Sequence, residues 1–386
     1  MTPGARVAVA IAVLDQIKEG TAAEQALTVW ARGSRYAGSK DRAAVRDHVF
    51  DVLRAKRSLG DGSGRSLMQR LAQREGWDVP FLFSGEGHAP APLSADENNA
   101  LDTPLSLSDA IRCDVPEWLW PLWQDSLGDQ AEATAIAQQS RADVFLRVNQ
   151  RKADVAGAIA HLAREDVVAV EHPSVSGCLR VVQNPRRVKT SLAYLDGIVE
   201  LQDAASQEAI ARTHVKPGAR LLDYCAGGGG KALAFADQYD ATLFAHDIAP
   251  QRMRDLPERA RRAGVEITPL TTQELPSQEK FDVVFCDAPC SGSGTWRRTP
   301  DAKWRLTQAQ LAQLVQAQAE VLDSAAPLTA EGGHLVYATC SILNVENDAA
   351  LASFCQRHKG WQVDAVWRRL PDQDGDGFFL SSLRRT

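Results

Sequence analysis

The chain has 386 residues, of which 44% are apolar and 24% are charged, and its formal net charge is −6. This length allows two or three domains, and no apolar run approaches the roughly 20 residues that span a bilayer, so we expect no membrane partner. The seven cysteines show neither a C-x-x-C pair nor a regular spacing. They predict free thiols, a reducing cytoplasmic location and no metal site.

Residues 4–72 are predicted to be helical. Apolar residues recur at helical spacing in AVAIAVLDQI and AVRDHVFDVL, with breaks at Gly20 and at residues 38–40. Between Arg32 and Arg70 there are ten lysines and arginines against four aspartates, a local excess of six positive charges in an acidic chain. Such an excess favours contact with a polyanion such as RNA. The alternative is an ordinary solvated helix face.

The middle of the chain changes pattern twice. Residues 73–110 are rich in Gly, Pro and Ala and are predicted to be a linker, followed by helices in VPEWLWPLWQDSLG and AEATAIAQQS. From residue 144 onward, strands are predicted in VFLRVN, VVAVEH and LRVVQ, and a helix in KADVAGAIAHLARE. These short alternating elements indicate a small α+β subdomain.

The last 170 or so residues alternate strands and helices in the manner of a doubly wound sheet. Strands are predicted at 219–225, 241–247, 265–270, 281–287, 332–340 and 375–385, and a long helix at 307–326. We therefore predict an α/β protein with three parts. A helical RNA-binding domain occupies 1–140, a small α+β subdomain 141–205, and a Rossmann-like domain 206–386.

The motif LLDYCAGGGGK indicates a cofactor loop. A buried strand enters four glycines and then a helix, and glycine allows a tight turn and a close approach to a ligand. The next strand ends in Asp247, where an acidic side chain can accept hydrogen bonds from both hydroxyls of a ribose. Together these features predict a nucleoside cofactor, either a dinucleotide or S-adenosylmethionine. The alternative is that the glycines serve only helix–strand packing.

Two cysteine motifs, CDAPCSGSGTW and VYATCSILN, follow the ends of two predicted strands. Asp287 and Cys290 come after one strand, and Cys340 comes at the end of the next. Because the carboxyl ends of parallel strands meet at one edge of a sheet, we expect both thiols beside the cofactor loop.

A thiolate is a strong nucleophile, and a pair of thiols with an acid suits methylation of a pyrimidine at C5. C5 of cytosine is too weakly nucleophilic to attack a methyl donor, whereas thiolate addition at C6 makes C5 enamine-like. Hydrogen bonding or protonation at N3 assists that addition, and Asp287 is placed to supply it. A second thiol can assist the elimination that follows.

The motifs DYCAGGGGK, DAPCSGSGTWRRTP and TCS resemble those of the Sun-type RNA cytosine-5 methyltransferases, above all the bacterial small-subunit ribosomal RNA enzymes. The resemblance continues in LRVN, VELQDAASQ and DGFFLSSLRR, and it covers about residues 140–386. More loosely, the basic N-terminus resembles the antitermination-factor-like RNA-binding domain of the ribosomal RNA members.

The resemblance implies S-adenosylmethionine as cofactor and RNA as partner, with Cys340 as the nucleophile and Cys290 assisting product release. Asp287 would face both cofactor and base. The cofactor-binding residues implied are Cys225, Ala226, Gly227, Gly228, Gly229, Gly230, Lys231, Asp247, Arg252 and Asp287.

The chain departs from the family pattern in two places. Gly228 stands where the family usually has Pro, which should loosen the loop while keeping its backbone donors. Many members also place an Asp after the third strand to contact the adenine side, whereas this chain has Thr271 and Thr272.

A second basic cluster, WRRTPDAKWR at 296–305, follows Cys290. Arg297, Arg298 and Lys303 are predicted to contact phosphates, and Trp296 and Trp304 to stack on a base. The alternative is that both tryptophans belong to the core.

Three other functions stay open. The same chemistry could act on transfer RNA. A non-catalytic RNA-binding ribosome-assembly protein would need the basic N-terminus but not the two cysteines and Asp287. A dehydrogenase would leave the paired cysteines unexplained, and the sequence shows no catalytic Tyr-Lys or His-Asp pairing. We expect a monomer.

Overall fold

The structure, a computed structural model, describes residues 1–103, 105 and 107–385. It divides into two compact units. Unit 1 comprises residues 1–124, 128–141 and 296–306, and unit 2 comprises residues 125–127, 142–295 and 307–386. Residue 386 of unit 2 and residues 104 and 106 of the predicted linker lie outside the described residues.

In chain order the helices are α1 (Pro3–Lys18), α2 (Ala23–Gly33), α3 (Ser39–Arg54), α4 (Gly64–Arg74), α5 (Val79–Leu82), α6 (Ala95–Asp102), α7 (Asp109–Arg112), α8 (Trp120–Leu127), α9 (Ala131–Ala137), α10 (Val155–Ala163), α11 (Leu192–Leu195), α12 (Ala204–Ala211), α13 (Gly230–Gln238), α14 (Leu256–Ala263), α15 (Pro300–Arg305), α16 (Gln308–Ala325) and α17 (Asp348–Arg357). The strands are β1 (Val144–Val148), β2 (Val168–Glu171), β3 (Cys178–Gln183), β4 (Val199–Leu201), β5 (Ala219–Asp223), β6 (Ala241–His246), β7 (Thr268–Leu270), β8 (Phe281–Asp287), β9 (Thr329–Thr339), β10 (Trp361–Arg369) and β11 (Phe378–Arg385).

Unit 1 is a helical bundle whose first four helices bury the apolar stripes seen in the sequence. Val7, Val13, Val45 and Val49 are each at most 1% exposed in its core, which also takes in residues of α4. The helical prediction for 4–72 is therefore confirmed. The helices are separated by short non-helical segments at residues 19–22, 34–38 and 55–63.

The predicted linker contains the helices α5, α6 and α7. Ser94 accepts a hydrogen bond from the backbone of Glu97, whose carboxylate in turn caps the backbone of Ser94, and this capping box starts α6. Glu97 also pairs with Arg65 of α4 at 2.6 Å. The segment predicted to be a loop or linker therefore contains short helices, which caps and tertiary ion pairs stabilise and apolar periodicity does not mark.

The segment after Cys290 enters unit 1 from residue 296. Trp296 is 1% exposed and stacks on Trp123, with ring centroids 5.9 Å apart. Lys303 is buried, and this burial lowers its pKa to about 8 despite the nearby charge of Asp114. Trp304 donates its indole N–H to the carbonyl of Leu53 at 2.6 Å.

These positions correct the prediction for the basic cluster at 296–305. Trp296, Arg297 and Lys303 are each at most 3% exposed, so they are part of the core and do not form an RNA-contacting surface. Trp304 is half-buried and packs on the same core. A basic, aromatic cluster has the same sequence pattern whether it packs inward or faces solvent.

Unit 2 contains two sheets. The smaller one is antiparallel with strand order β2-β3-β1-β4, and α10 packs against it. A buried ion pair of 2.5 Å between Arg147 on β1 and Asp237 on α13 ties this sheet to the larger one.

The larger sheet has strand order β10-β11-β9-β8-β5-β6-β7. Its five consecutive strands β9-β8-β5-β6-β7 are parallel. At one edge β11 pairs antiparallel with β9, and β10 pairs antiparallel with β11. The predicted α/β fold with a Rossmann-like sheet is confirmed. The sequence interpretation missed α17 and β10. Most residues of β10 remain exposed and give no clear alternation.

None of the described helices is both long enough and apolar enough to cross a membrane.

Candidate active site

The cofactor loop follows β5 and leads into α13. Gly227 and Gly229 have φ angles of 52° and 78°, which non-glycine residues rarely adopt. A Cβ on Gly229 would lie 2.2 Å from Leu256 Cδ1 of α14. The close packing on α14 therefore requires a glycine at position 229, as the alternative of a purely packing role predicted. At Gly227 the left-handed backbone turns the loop over the edge of the sheet.

Asp247, directly after β6, lies under this loop. Its carboxylate is 1% exposed and accepts hydrogen bonds from the backbone N–H of Gly227 and of Ala249, both at 2.9 Å. Arg252 forms an ion pair with it at 3.1 Å. The structure thus brings the predicted residues Asp247 and Arg252 to the glycine loop and gives the carboxylate a role in holding that loop. Ribose binding by Asp247 stays a prediction.

Arg259 braces the loop at the position where the family usually has Pro. Its guanidinium donates to the carbonyl oxygen of Gly228 and pairs with Glu200 of β4 at 3.1 Å. Glu200 is buried and also accepts from Arg262. The loop is therefore supported although it lacks the proline, because Arg259 connects it to Glu200 on β4 of the small sheet.

Lys231, at the start of α13, forms an ion pair of 2.6 Å with Asp287, at the carboxyl end of β8. Burial alone would lower the pKa of Lys231, but the pairing with Asp287 and the nearby charge of Asp223 outweigh burial and raise it. Asp223 is fully buried, and its carboxylate oxygens accept no hydrogen bond of normal geometry from the described residues. Burial, reinforced by the charge of Asp287, raises the pKa of Asp223 to about 7.

These groups line a cleft of about 250 Å³. Three acidic side chains, from Asp203, Asp223 and Asp287, line it together with the single ammonium of Lys231. A cleft lined by more acidic than basic side chains suits a ligand that brings its own positive charge. The other lining residues are Leu201, Gln202, Ser206, Cys225, Ala226 and Gly230.

The two cysteines meet as the sheet prediction required. β8 and β9 are parallel neighbours, with Asp287 opposite Ala338, and the Cys290 and Cys340 sulfurs lie 3.4 Å apart. The segment that carries Cys290 also packs closely on the backbone before β11, since a Cβ on Gly294 would lie 2.6 Å from the carbonyl oxygen of Gly377.

The surroundings of the two thiols differ. The pKa of Cys340 is lowered, first by the hydrogen bond from Cys290 and further by Lys231 and the Thr295 hydroxyl, against burial and the charge of Asp287. The pKa of Cys290 is raised by its hydrogen bond to Cys340 and by burial. The pair therefore favours a thiolate on Cys340 and a thiol on Cys290.

Comparison with known proteins matches two parts of the chain to one group of enzymes. Residues 212–384 match the family model of the 16S rRNA methyltransferases RsmB/F, and residues 115–189 match the ferredoxin-like domain of RsmF/B-like methyltransferases. The chain belongs to the RsmB/F family. The resemblance inferred from the cysteine and glycine motifs is thereby confirmed.

Individual relatives agree with the RsmB/F assignment. Ribosomal RNA small subunit methyltransferase B of Salmonella arizonae is 32% identical over 282 residues, which span 69% of this chain and 66% of that protein. The probable methyltransferase B of Bacillus subtilis is 28% identical, over 89% of this chain and 78% of its own length. The crystal structure of PH0851 covers 100% of this chain and 99% of its own, with a TM-score of 0.76 and 22% identity, and so shares the fold.

The region where many RsmB/F-type motifs carry an adenine-side Asp has its own hydrogen bonds. Thr272 Oγ lies 2.9 Å from His246 Nε2, and Thr271 donates from both its N–H and its hydroxyl to Glu274. Beside the loop, Ile248 leaves 84% of its surface exposed. The sequence interpretation missed Ile248, since a single exposed isoleucine gives no pattern.

Glu346 is a further residue that the sequence interpretation missed. It is fully buried behind both cysteines and accepts hydrogen bonds from Ser291 and Ser341, the residues that follow Cys290 and Cys340. Only the repeated Cys-Ser pair in the two motifs could have hinted at a shared partner.

A groove of about 580 Å³ lies next to the segment that follows Cys340. Its lining includes Ser341, Asn344, Arg368, Arg369 and Phe378. Among the described residues, this groove and the acidic cleft share no lining residue.

Proposed function

We propose that this chain transfers a methyl group from S-adenosylmethionine to C5 of a cytosine in RNA of the small ribosomal subunit. The observation that supports it most directly is the pair of thiols 3.4 Å apart, at the same sheet edge as the Lys231–Asp287 ion pair and the glycine loop. A non-catalytic RNA-binding protein has no use for this arrangement.

The acidic cleft and the glycine loop suit S-adenosylmethionine, which supplies the methyl group when bound. Asp223 and Asp287 face the cleft with more negative charge than Lys231 balances, matching the positive ammonium and sulfonium of that cofactor. The backbone of the loop held by Asp247 lies beside the exposed side chain of Ile248, which offers an apolar surface for a flat ring.

Cys340 is the nucleophile in this proposal. Its thiolate adds to C6 of the cytosine, a carbon–sulfur bond forms, and electron density moves to C5 as the Lys231–Asp287 pair supplies a proton or hydrogen bond at N3. C5 is then nucleophilic enough to be methylated.

Cys290 assists the last step. Loss of the C5 proton to solvent restores the C5–C6 double bond and expels Cys340 as a thiolate. The Cys290 thiol stabilises that leaving thiolate by donating the same hydrogen bond that joins the two sulfurs in the free protein.

This mechanism predicts that Cys290→Ala accumulates an RNA–protein adduct, because addition and methylation proceed while elimination is slow. The adduct should run as a slow, nuclease-sensitive band on a denaturing gel. The double variant Cys290→Ala/Cys340→Ser should not form it, and Cys355→Ala, at a partly buried cysteine on α17, should behave as the unaltered protein. A Cys290→Ala protein that turns over normally and yields no band contradicts the assignment.

The RNA target is tested separately. Bisulfite sequencing of ribosomal and transfer RNA after incubation with the protein and S-adenosylmethionine should show new 5-methylcytosine in small-subunit ribosomal RNA. Modification confined to transfer RNA would keep the chemistry and replace the proposed target.

A further inference from the structure

We infer that Glu346 is a positioning residue that holds the two cysteine-bearing loops together and keeps the proton shared by the two thiols on Cys290, leaving Cys340 as the attacking sulfur. This inference rests on the proposed function and deepens it. It concerns a residue outside both cysteine motifs.

The carboxylate of Glu346 connects the two Cys-Ser sequences directly. One oxygen accepts from the hydroxyls of Ser291 and Ser341, each at 2.5 Å. The other accepts from the backbone N–H of Ser291 at 2.8 Å and from the Gln318 amide at 3.0 Å. A carboxylate offers about four acceptor positions, and all four are used here.

Further hydrogen bonds lock the same two loops. Ser293 Oγ lies 2.9 Å from Ser341 Oγ and accepts from the N–H of Ile342 at 2.9 Å. The N–H of Gly294 donates to the carbonyl of Cys340 at 2.9 Å. Gln318 also donates to the carbonyl of Pro289 at 2.9 Å. The separation of the two sulfurs is therefore set by this buried network rather than by the sheet alone.

The charge of Glu346 acts unequally on the two thiols. Among the described residues its side-chain partners are all uncharged, so Glu346 forms no ion pair with them. It binds the Cys290 side more closely, through both the N–H and the hydroxyl of Ser291, and it contributes to the raised pKa of Cys290.

Cys340 faces a different set of groups. Lys231 and the Thr295 hydroxyl favour its thiolate, while Asp287 opposes it. Tyr337, the remaining titratable group at this network, donates its hydroxyl to the backbone carbonyl of Glu346 at 2.7 Å. Because Lys231 favours the Cys340 thiolate and Glu346 contributes to the raised pKa of Cys290, the proton stays on Cys290.

The substitution Glu346→Gln separates charge from geometry. The amide oxygen can accept from Ser291 N–H and Gln318, and the amide N–H groups can donate to the two serine hydroxyl oxygens. We expect iodoacetamide to alkylate Cys340 faster than Cys290 in the unaltered protein. The ratio of the two rates, read by mass spectrometry of the cysteine peptides, should fall roughly tenfold in Glu346→Gln, because a buried charge a few ångströms away shifts a thiol by about one pKa unit.

Glu320→Gln, an exposed substitution on the same helix as Gln318, is the matched control and should leave the ratio unchanged. An unchanged rate ratio in Glu346→Gln overturns this inference and leaves the proposed function intact. A preference for Cys290 in the unaltered protein overturns the nucleophile assignment itself.

A second variant tests the geometry even if Glu346→Gln does not fold. Ser341→Ala removes one of the hydroxyls that Glu346 holds. Diamide oxidation of the two thiols to a disulfide should then slow several-fold, because the sulfurs are held together less tightly. An unchanged rate of disulfide formation overturns the positioning role.

Discussion

Charge is used differently at the edge of the large sheet and on the surface of the helical unit. At the sheet edge the ionic groups bind each other: Lys231 pairs with Asp287 at 2.6 Å and Arg252 with Asp247 at 3.1 Å. In unit 1, Arg32, Arg35 and Lys40 are exposed and form no ion pair with the described residues.

The difference corresponds to two tasks. A chemical step needs groups held in fixed geometry, which mutual pairing and burial provide. Capture of a polyanion needs cations that can leave water and their counterions for phosphates, and a cation already paired within the protein does this poorly. We therefore expect changes at the sheet edge to alter methyl transfer or cofactor binding, and changes at the exposed cations to alter RNA affinity.

The largest effect is expected for Cys340→Ser. A serine hydroxyl is a far weaker nucleophile than a thiolate, so methylation should fall by roughly 10⁴-fold or more, while affinity for RNA and for S-adenosylmethionine stays unchanged. Single-turnover transfer of a labelled methyl group measures the rate, and Cys355→Ser is the matched control. Substantial turnover in Cys340→Ser would refute its role, and a parallel loss of RNA affinity would break the separation between the two regions.

Asp247→Ala should have an intermediate effect, on cofactor affinity alone. The substitution removes an acceptor of two backbone hydrogen bonds and of the Arg252 ion pair, which loosens the loop. Loss of hydrogen bonds to a charged group costs about 1.5–3 kcal/mol, or roughly 10- to 150-fold in affinity. Calorimetry with S-adenosylmethionine measures this change.

Asp240→Ala is the matched control for Asp247→Ala, since Asp240 is exposed and precedes the same strand at its other end. Equal cofactor affinity in both variants would show that Asp247 is not part of the cofactor site.

The meeting of Cys290 and Cys340 could be predicted from the sequence because strand ends of a parallel sheet share an edge. Glu346 and Arg259 could not, since each acts through partners far away in the chain, and no periodic pattern marks such a contact. The same limit explains the error at Trp296 and Lys303. A side chain's burial depends on which tertiary neighbours cover it, and these cannot be read from a local cluster of arginines and tryptophans.

The smallest effect is expected for the exposed cations of unit 1, and it concerns RNA affinity. It also tests most directly whether the sheet edge and the surface of unit 1 have separate tasks. Several of the ten cations between Arg32 and Arg70 are paired within the protein and are therefore not expected to bind phosphates. Arg46 pairs with Glu24, Lys56 with Asp61 and Arg57 with Glu117. Replacing Arg32, Arg35 and Lys40 together by Gln should weaken RNA binding on the order of tenfold. The slope of log affinity against log salt should flatten by up to about 2, at roughly 0.7 per lost phosphate contact on a single strand.

The triple variant Arg46→Gln/Lys56→Gln/Arg57→Gln removes the same charge from ion-paired positions and should leave that slope unchanged, because those cations bind carboxylates rather than phosphates. Filter binding over a salt series, with S-adenosylmethionine affinity measured alongside, compares the two. If both triple variants flatten the slope equally, the overall charge of the unit governs RNA binding, since location would then make no difference. If neither does, RNA is held elsewhere, and the exposed cations are ordinary solvated surface.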